Sequence, residues 1–120
     1  MENVAYLENE DINSNGTLKS YVSDGKPCVL MLSGNFCGYC KKASPEFEKF
    51  AKSNPNITSC VIVIDGSDSE KKASRYAKIW DPFYKGVPTF LGFDRNGKYI
   101  TTHSGGRDFN SLQKFSETLK

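Results

Sequence analysis

The chain has 120 residues, of which 16 are basic and 14 acidic, for a formal charge of +2. That balance gives no footing for nucleic-acid binding, and no apolar run approaches the roughly 18 residues of a membrane span, so neither nucleic acid nor membrane insertion is expected. Apolar residues at 38% and aromatics at 12% exclude a disordered chain, and this length suits one domain, residues 1–120, around one core.

The opening stretch MENVAYLENED is acidic and lacks the basic-then-apolar order of a secretory signal. A cytoplasmic protein is expected, or a periplasmic or secreted one whose signal has been cut away. Val4 to Leu7 predicts a short strand. Asn13 to Val22 predicts a helix capped by Asn13 or Ser14, with Leu18, Tyr21 and Val22 turned inward. Gly25 and Pro27 end it.

Cys28 to Leu32 and Val61 to Ile64 are continuous apolar runs of strand length, the pattern of strands buried on both faces. Between them Tyr39, Ala43, Phe47, Phe50 and Ala51 recur at helical spacing, with Lys41, Lys42, Glu46, Lys49 and Lys52 on the other face. This is a strand-helix-strand unit with a right-handed crossover. Ser69 to Ile79 predicts a further helix, capped by Ser67, Asp68 or Ser69 and ended by Asp81-Pro82. Two short runs around the turn Asp94–Gly97 read as a β-hairpin. Asp108 caps a last helix carrying Phe109, Leu112, Phe115 and Leu119. The order implies an α/β fold: a central mixed sheet of about five strands flanked by about four helices.

Cys37 and Cys40 fall where the strand ending at Leu32 gives way to the helix running to about Lys52. A helix N-terminus presents unpaired N–H groups and the positive end of the dipole. An ordinary thiol near pKa 8.5 is about 3% ionised at pH 7, and a helix end raises that fraction. Only the thiolate attacks a disulfide. Cys40 lies nearly one turn deeper and meets less solvent. The geometry therefore makes Cys37 the attacking sulfur and Cys40 the resolving one. A zinc site would need two more ligands, and the candidates are Cys28, Cys60 and His103. The two cysteines start strands at the far end of the sheet, roughly 17–20 Å away along a strand of about six residues, which no tetrahedral site spans. Cys28 and Cys60 read as small core residues, with a second disulfide as the alternative. His103 reads as a surface residue of the hairpin.

Taken in order, FCGYCKK, Pro45, VIVID, Gly86-Val87-Pro88-Thr89-Phe90, DRNGK and Ser104-Gly105-Gly106 make the chain resemble the thioredoxin superfamily over about residues 4 to 119. The resemblance implies a thioredoxin fold and a kink at Pro45. It implies a cis Pro88 facing the dithiol and a Val87 backbone that pairs with a substrate strand. Phe36, Gly38, Tyr39 and Gly105 then shape the substrate site, and Trp80, Phe83 and Tyr84 either form a substrate lip or cover a core edge. The implied activity is protein thiol–disulfide exchange through Cys37 and Cys40, with no metal or organic cofactor. Partners would be disulfide-containing proteins and an electron donor such as a flavoprotein reductase or a membrane dithiol carrier, acting on a monomer. A disulfide isomerase or oxidase, or a thioredoxin-fold binding subunit without turnover, are the alternatives.

The chain departs from the family pattern at several positions, among them Phe36 where the family has a Trp before the first cysteine. A buried Asp six residues before the first cysteine is Met31 here, and its Lys partner on the next strand is Val61. The proton acceptor for Cys40 must therefore be something else, such as water. The residues between the cysteines are Gly-Tyr.

Overall fold

The computed structural model describes the whole chain, Met1 to Lys120. A five-stranded sheet runs in the order β1-β3-β2-β4-β5: β1 (Ala5–Tyr6), β2 (Cys28–Ser33), β3 (Thr58–Val63), β4 (Thr89–Phe93) and β5 (Tyr99–Thr102). β1 and β2 both run parallel to β3, while β4 is antiparallel to β2 and to β5. The sheet is mixed, and it is the thioredoxin fold.

Cys28 to Leu32 are all fully buried, because both faces of β2 are covered. Val29 and Met31 join one core with Phe47 and Phe50 of α2 (Gly38–Ser53) and Leu112 and Phe115 of α5 (Phe109–Glu117). Cys28, Leu30 and Leu32 join a second core with Ala73 of α3 (Asp68–Ser74) and Ala77 and Trp80 of α4 (Ala77–Trp80). Burying one Phe or Leu stabilises the fold by roughly 1.5–3 kcal/mol, so these two faces dominate. Phe47 packs edge-on to Phe90 with ring centres 5.3 Å apart, which fastens α2 to β4.

Two expected helices and one expected side chain differ. Asn13 to Lys19 is a turn and not a helix; only Ser20–Ser23 (α1) is helical. The Asn15 carboxamide accepts from the Thr17 N–H at 3.1 Å, Asn13 N–H bonds Thr17 O at 2.8 Å, and Gly16 has φ +90°. Local side-chain bonding thus outcompetes the helix. Leu18 N–H is committed to the Gly97 carbonyl at 2.8 Å, and Leu18 bridges Ile12. Tyr21 consequently points to solvent while Leu18 and Val22 stay buried.

The helix expected over Ser69–Ile79 comes as two pieces. Arg75 and Tyr76 N–H groups bond three residues back, to Lys72 and Ala73, which tightens the chain between α3 and α4. The Ser74 hydroxyl and Arg75 Nε bond the Lys71 and Lys72 carbonyls, taking up acceptors the α-helical pattern would have used. α3 is capped by Ser67, with Glu70 completing a capping box. Tyr39, expected on the buried stripe of α2, is exposed instead.

No helix is long and apolar enough to cross a membrane.

Candidate active site

The site forms where β2 ends. Gly34 to Phe36 carry the chain from the sheet to α2, and Cys37 is the N-cap of that helix, with extended φ −95° and ψ 111°. Its sulfur takes the place a Ser or Asp oxygen usually occupies at a helix start. Cys40 N–H donates to Cys37 Sγ at 3.1 Å, and Cys37 Sγ–H points to the Val87 carbonyl at 3.6 Å. The helix end therefore aims an N–H at the sulfur that carries the thiolate charge before attack.

The two cysteines are unequally placed. Cys37 is 8% exposed and Cys40 2%. Burial pushes the Cys40 thiol up, and its hydrogen bond with Cys37 adds to that; backbone Gly34 and the Ser33 side chain pull the other way. Both cysteines are free thiols. Ser44 Oγ donates to the Cys40 carbonyl at 2.8 Å, and Pro45, inside α2, has no N–H to offer Lys41 O.

Opposite the dithiol, the Val87–Pro88 bond is cis. Val87 is half-buried and packs against both cores. A groove of about 470 Å³ extends from here, lined among others by Phe83, Tyr84, Val87, Pro88, Gly105 and Arg107. Phe36 is 71% exposed and Tyr39 66%, so both rings stand at the rim. Phe36 lies across Gly34, where a Cβ would meet the ring. Tyr39 is held between two cations, Arg107 5.6 Å and Lys42 5.8 Å from its ring centre. Gly38 has open space where a Cβ would be. At Gly105 a Cβ would meet the His103 ring, which bonds the Gly106 carbonyl at 2.6 Å.

The structure thus brings Cys37, Cys40 and Val87 together at short range, and places Phe36, Tyr39, Pro88 and Gly105 around them. The three aromatics before Pro88 divide. Trp80 covers a core edge: its Nε1 donates to Gly16 O at 2.7 Å and its ring stands edge-on to Phe93. Phe83 is 85% exposed and lines the groove. Tyr84 is half-buried, its hydroxyl pushed up by burial and then by Cys40.

Cys28 and Cys60 sit in the second core, fully buried. Cys28 lies opposite Thr58 and Cys60 opposite Leu30, two register positions apart, and both thiols are free. Burial pushes Cys28 up to about 12 and Cys60 well above its ordinary value, which makes them inert. His103 is not a bare surface residue: its ring lies 4.7 Å from that of Phe115.

Sequence reasoning passed over Ser33 and Arg107. Ser33 was legible by period two, sharing a face of β2 with Val29 and Met31. Arg107 carried no signal, because its place beside Tyr39 depends on how the last loop folds back.

The thioredoxin-like domain family matches residues 15–120. The chain is 31% identical to a thioredoxin domain-containing mitochondrial protein of Schizosaccharomyces pombe over 88% of its length, and 28% identical to protein disulfide-isomerase erp38 of Neurospora crassa, also over 88%. It spans 28% of the length of each of those two relatives. Among solved structures, thioredoxin O2 of Arabidopsis thaliana in its oxidised state superposes with a TM-score of 0.69 at 24% identity, over 98% of this chain and 94% of that one. With the fold, the helix-capping cysteine and the cis proline in place, these likenesses establish that the chain belongs to the thioredoxin-like domain family.

Proposed function

We propose that the chain is a thiol–disulfide oxidoreductase that reduces protein disulfides, acting as a single-domain monomer. The observation that carries this is the setting of Cys37 Sγ. It sits between the Cys40 N–H at 3.1 Å and the carbonyl of Val87 at 3.6 Å, and Val87 lines the neighbouring groove.

Cys37 attacks as thiolate. A bond forms from Cys37 to one substrate sulfur, and the other leaves as thiolate and takes a proton from solvent. Cys40 then attacks Cys37, forming the intramolecular disulfide and releasing the second substrate thiol. Two electrons pass from the dithiol to the substrate. An external donor, a flavoprotein reductase or a membrane dithiol carrier, returns them. Val87 and Pro88 line the groove directly ahead of β4, which supports strand-like pairing with the substrate there, and Phe36, Gly38, Tyr39 and Gly105 shape its path.

The experiment is reduction of a disulfide-linked protein with wild type, Cys37→Ser and Cys40→Ser. Cys37→Ser loses turnover, whereas Cys40→Ser accumulates a mixed disulfide on Cys37. Turnover by Cys37→Ser equal to wild type overturns the proposal. The name protein disulfide-isomerase on a relative supports a second reading, isomerisation. The potential of the Cys37–Cys40 pair separates the two. A value near −270 mV favours a reductase and one near −180 mV an isomerase.

A further inference from the structure

The resolving step requires Cys40 to lose a proton in a place almost closed to solvent. Few groups face its sulfur. Its own helix offers Cys37, Lys41 and Ser44, and the Ser44 hydroxyl is already engaged by the Cys40 carbonyl. The segment before Pro88 offers Tyr84, itself a weakened acid through burial. On the sheet, Met31 and Val61 lie directly opposite each other, apolar and fully buried.

A cavity of about 160 Å³ opens beside Cys40, bounded by the end of β2, the start of α2, β1 and β3. Ser33, Ser44, Lys41, Tyr6, Val61 and Met1, whose ammonium donates to the Tyr6 hydroxyl at 2.6 Å, are among the residues that line it, and none of its lining residues is a carboxylate. At about 30 Å³ per water in the liquid, it has room for a few molecules and polar groups to hold them. Ser33 is the last residue of β2 and pairs with Val63. By period two it shares the face of Val29 and Met31, the face on which α2 packs. Its side chain borders this cavity together with Cys40, and the nearby hydroxyl favours the Cys40 thiolate.

Resting on the exchange reaction proposed above, we propose that Ser33 is the positioning residue of the resolving step: its hydroxyl holds the Cys40 sulfur and links it to water in this cavity, through which the proton leaves. The balance is closed. Cys40 gives its proton to cavity water and thence to solvent. The thiolate attacks Cys37 Sγ, the Cys37–Cys40 bond forms, and the Cys37–substrate bond breaks. The substrate sulfur departs with the electron pair and regains a proton from solvent. No carboxylate and no cofactor takes part.

The test uses the reduced full chain mixed with oxidised glutathione, quenched at intervals by acid and alkylation, and read by mass spectrometry between pH 6 and 9. Two rates are separated: formation of the Cys37–glutathione mixed disulfide, and its closure to the Cys37–Cys40 bond. In Ser33→Ala, formation keeps the wild-type rate. Closure is slowed about tenfold at pH 7, its midpoint moves up by about one pH unit, and the mixed disulfide accumulates. Ser33→Thr, which keeps the hydroxyl on a strand residue, restores the midpoint. An unchanged midpoint in Ser33→Ala, or a slowing of equal size at every pH in both variants, overturns the role of Ser33. If the wild type never forms the mixed disulfide, the exchange reaction itself fails and the Ser33 role falls with it. That result is distinct from normal formation followed by an unaltered closure.

Discussion

The carbonyl oxygen of Val87 lies 3.6 Å from the sulfur of Cys37, although the two residues are 50 positions apart in the chain. One belongs to the loop entering β4 and the other to the start of α2. Their meeting is possible because β2 and β4 are neighbours, with Leu32 paired to Thr89. The strand pairing thus brings the chain just before Thr89 beside the chain just after Ser33.

The unequal exposure of the thiols predicts an order of alkylation in the reduced native protein. Cys37 reacts first, with Cys40 slower by on the order of tenfold. Cys28 and Cys60 stay unmodified until the chain unfolds. Timed iodoacetamide labelling with peptide mapping checks this; early label on Cys60 would contradict the packing.

Stability should fall with rising pH above about pH 9. The Cys28 thiol ionises at about 12 in the fold against an ordinary 9.0. Between those values the unfolded chain has lost this proton and the native chain has kept it. Stability from this group is therefore complete below about pH 9 and is lost as pH climbs toward 12, at about 1.4 kcal/mol per pH unit. Urea unfolding between pH 7 and 11 should show a shallower decline in Cys28→Ala than in wild type. Equal slopes would argue against the burial effect.

Phe83→Ala should leave stability within about 0.5 kcal/mol, since the ring stands in solvent. Its effect belongs to substrate. KM for a disulfide-linked protein should rise about fivefold, the loss of about 1 kcal/mol of contact. Rates with oxidised glutathione, too small to reach this ring, should not change. Steady-state kinetics on both substrates decides the matter.

Gly97→Ala should destabilise the fold by about 2 kcal/mol or more. Gly97 has φ +78°, and a Cβ there would meet the backbone oxygen of Leu18 at 2.5 Å. That same backbone holds the bond from Leu18 N–H to the Gly97 carbonyl. Chemical denaturation gives the number, and a change below about 0.5 kcal/mol would show that the loop yields freely.

Much of this was legible in the sequence wherever one signal decided the outcome. The uninterrupted run Cys28 to Leu32 could only be buried on both faces, and the hairpin glycine at 97 has the positive φ its turn requires. Tyr39 was misread because the first turn of α2 carries the site, and the apolar stripe begins below it. The segment from Asn13 to Lys19 was misread because Leu18 answers to Gly97, nearly 80 residues away, and no local pattern reports such a partner. The cavity beside Cys40 was invisible for the same reason: β1, β2, β3 and α2 each supply part of it.

β1 contains only Ala5 and Tyr6, yet it lies along β3, with Leu7 N–H extending the pairing to Val61 O at 2.9 Å. It contributes little apolar bulk of its own, since both residues are exposed. Its service is that of a guard rail. Without it, β3 would leave the outward amides around Cys60 and Val61 open at the sheet margin, the kind of template on which a second copy could stack. Colloidal behaviour of the protein is thus entrusted to a handful of residues at its amino end.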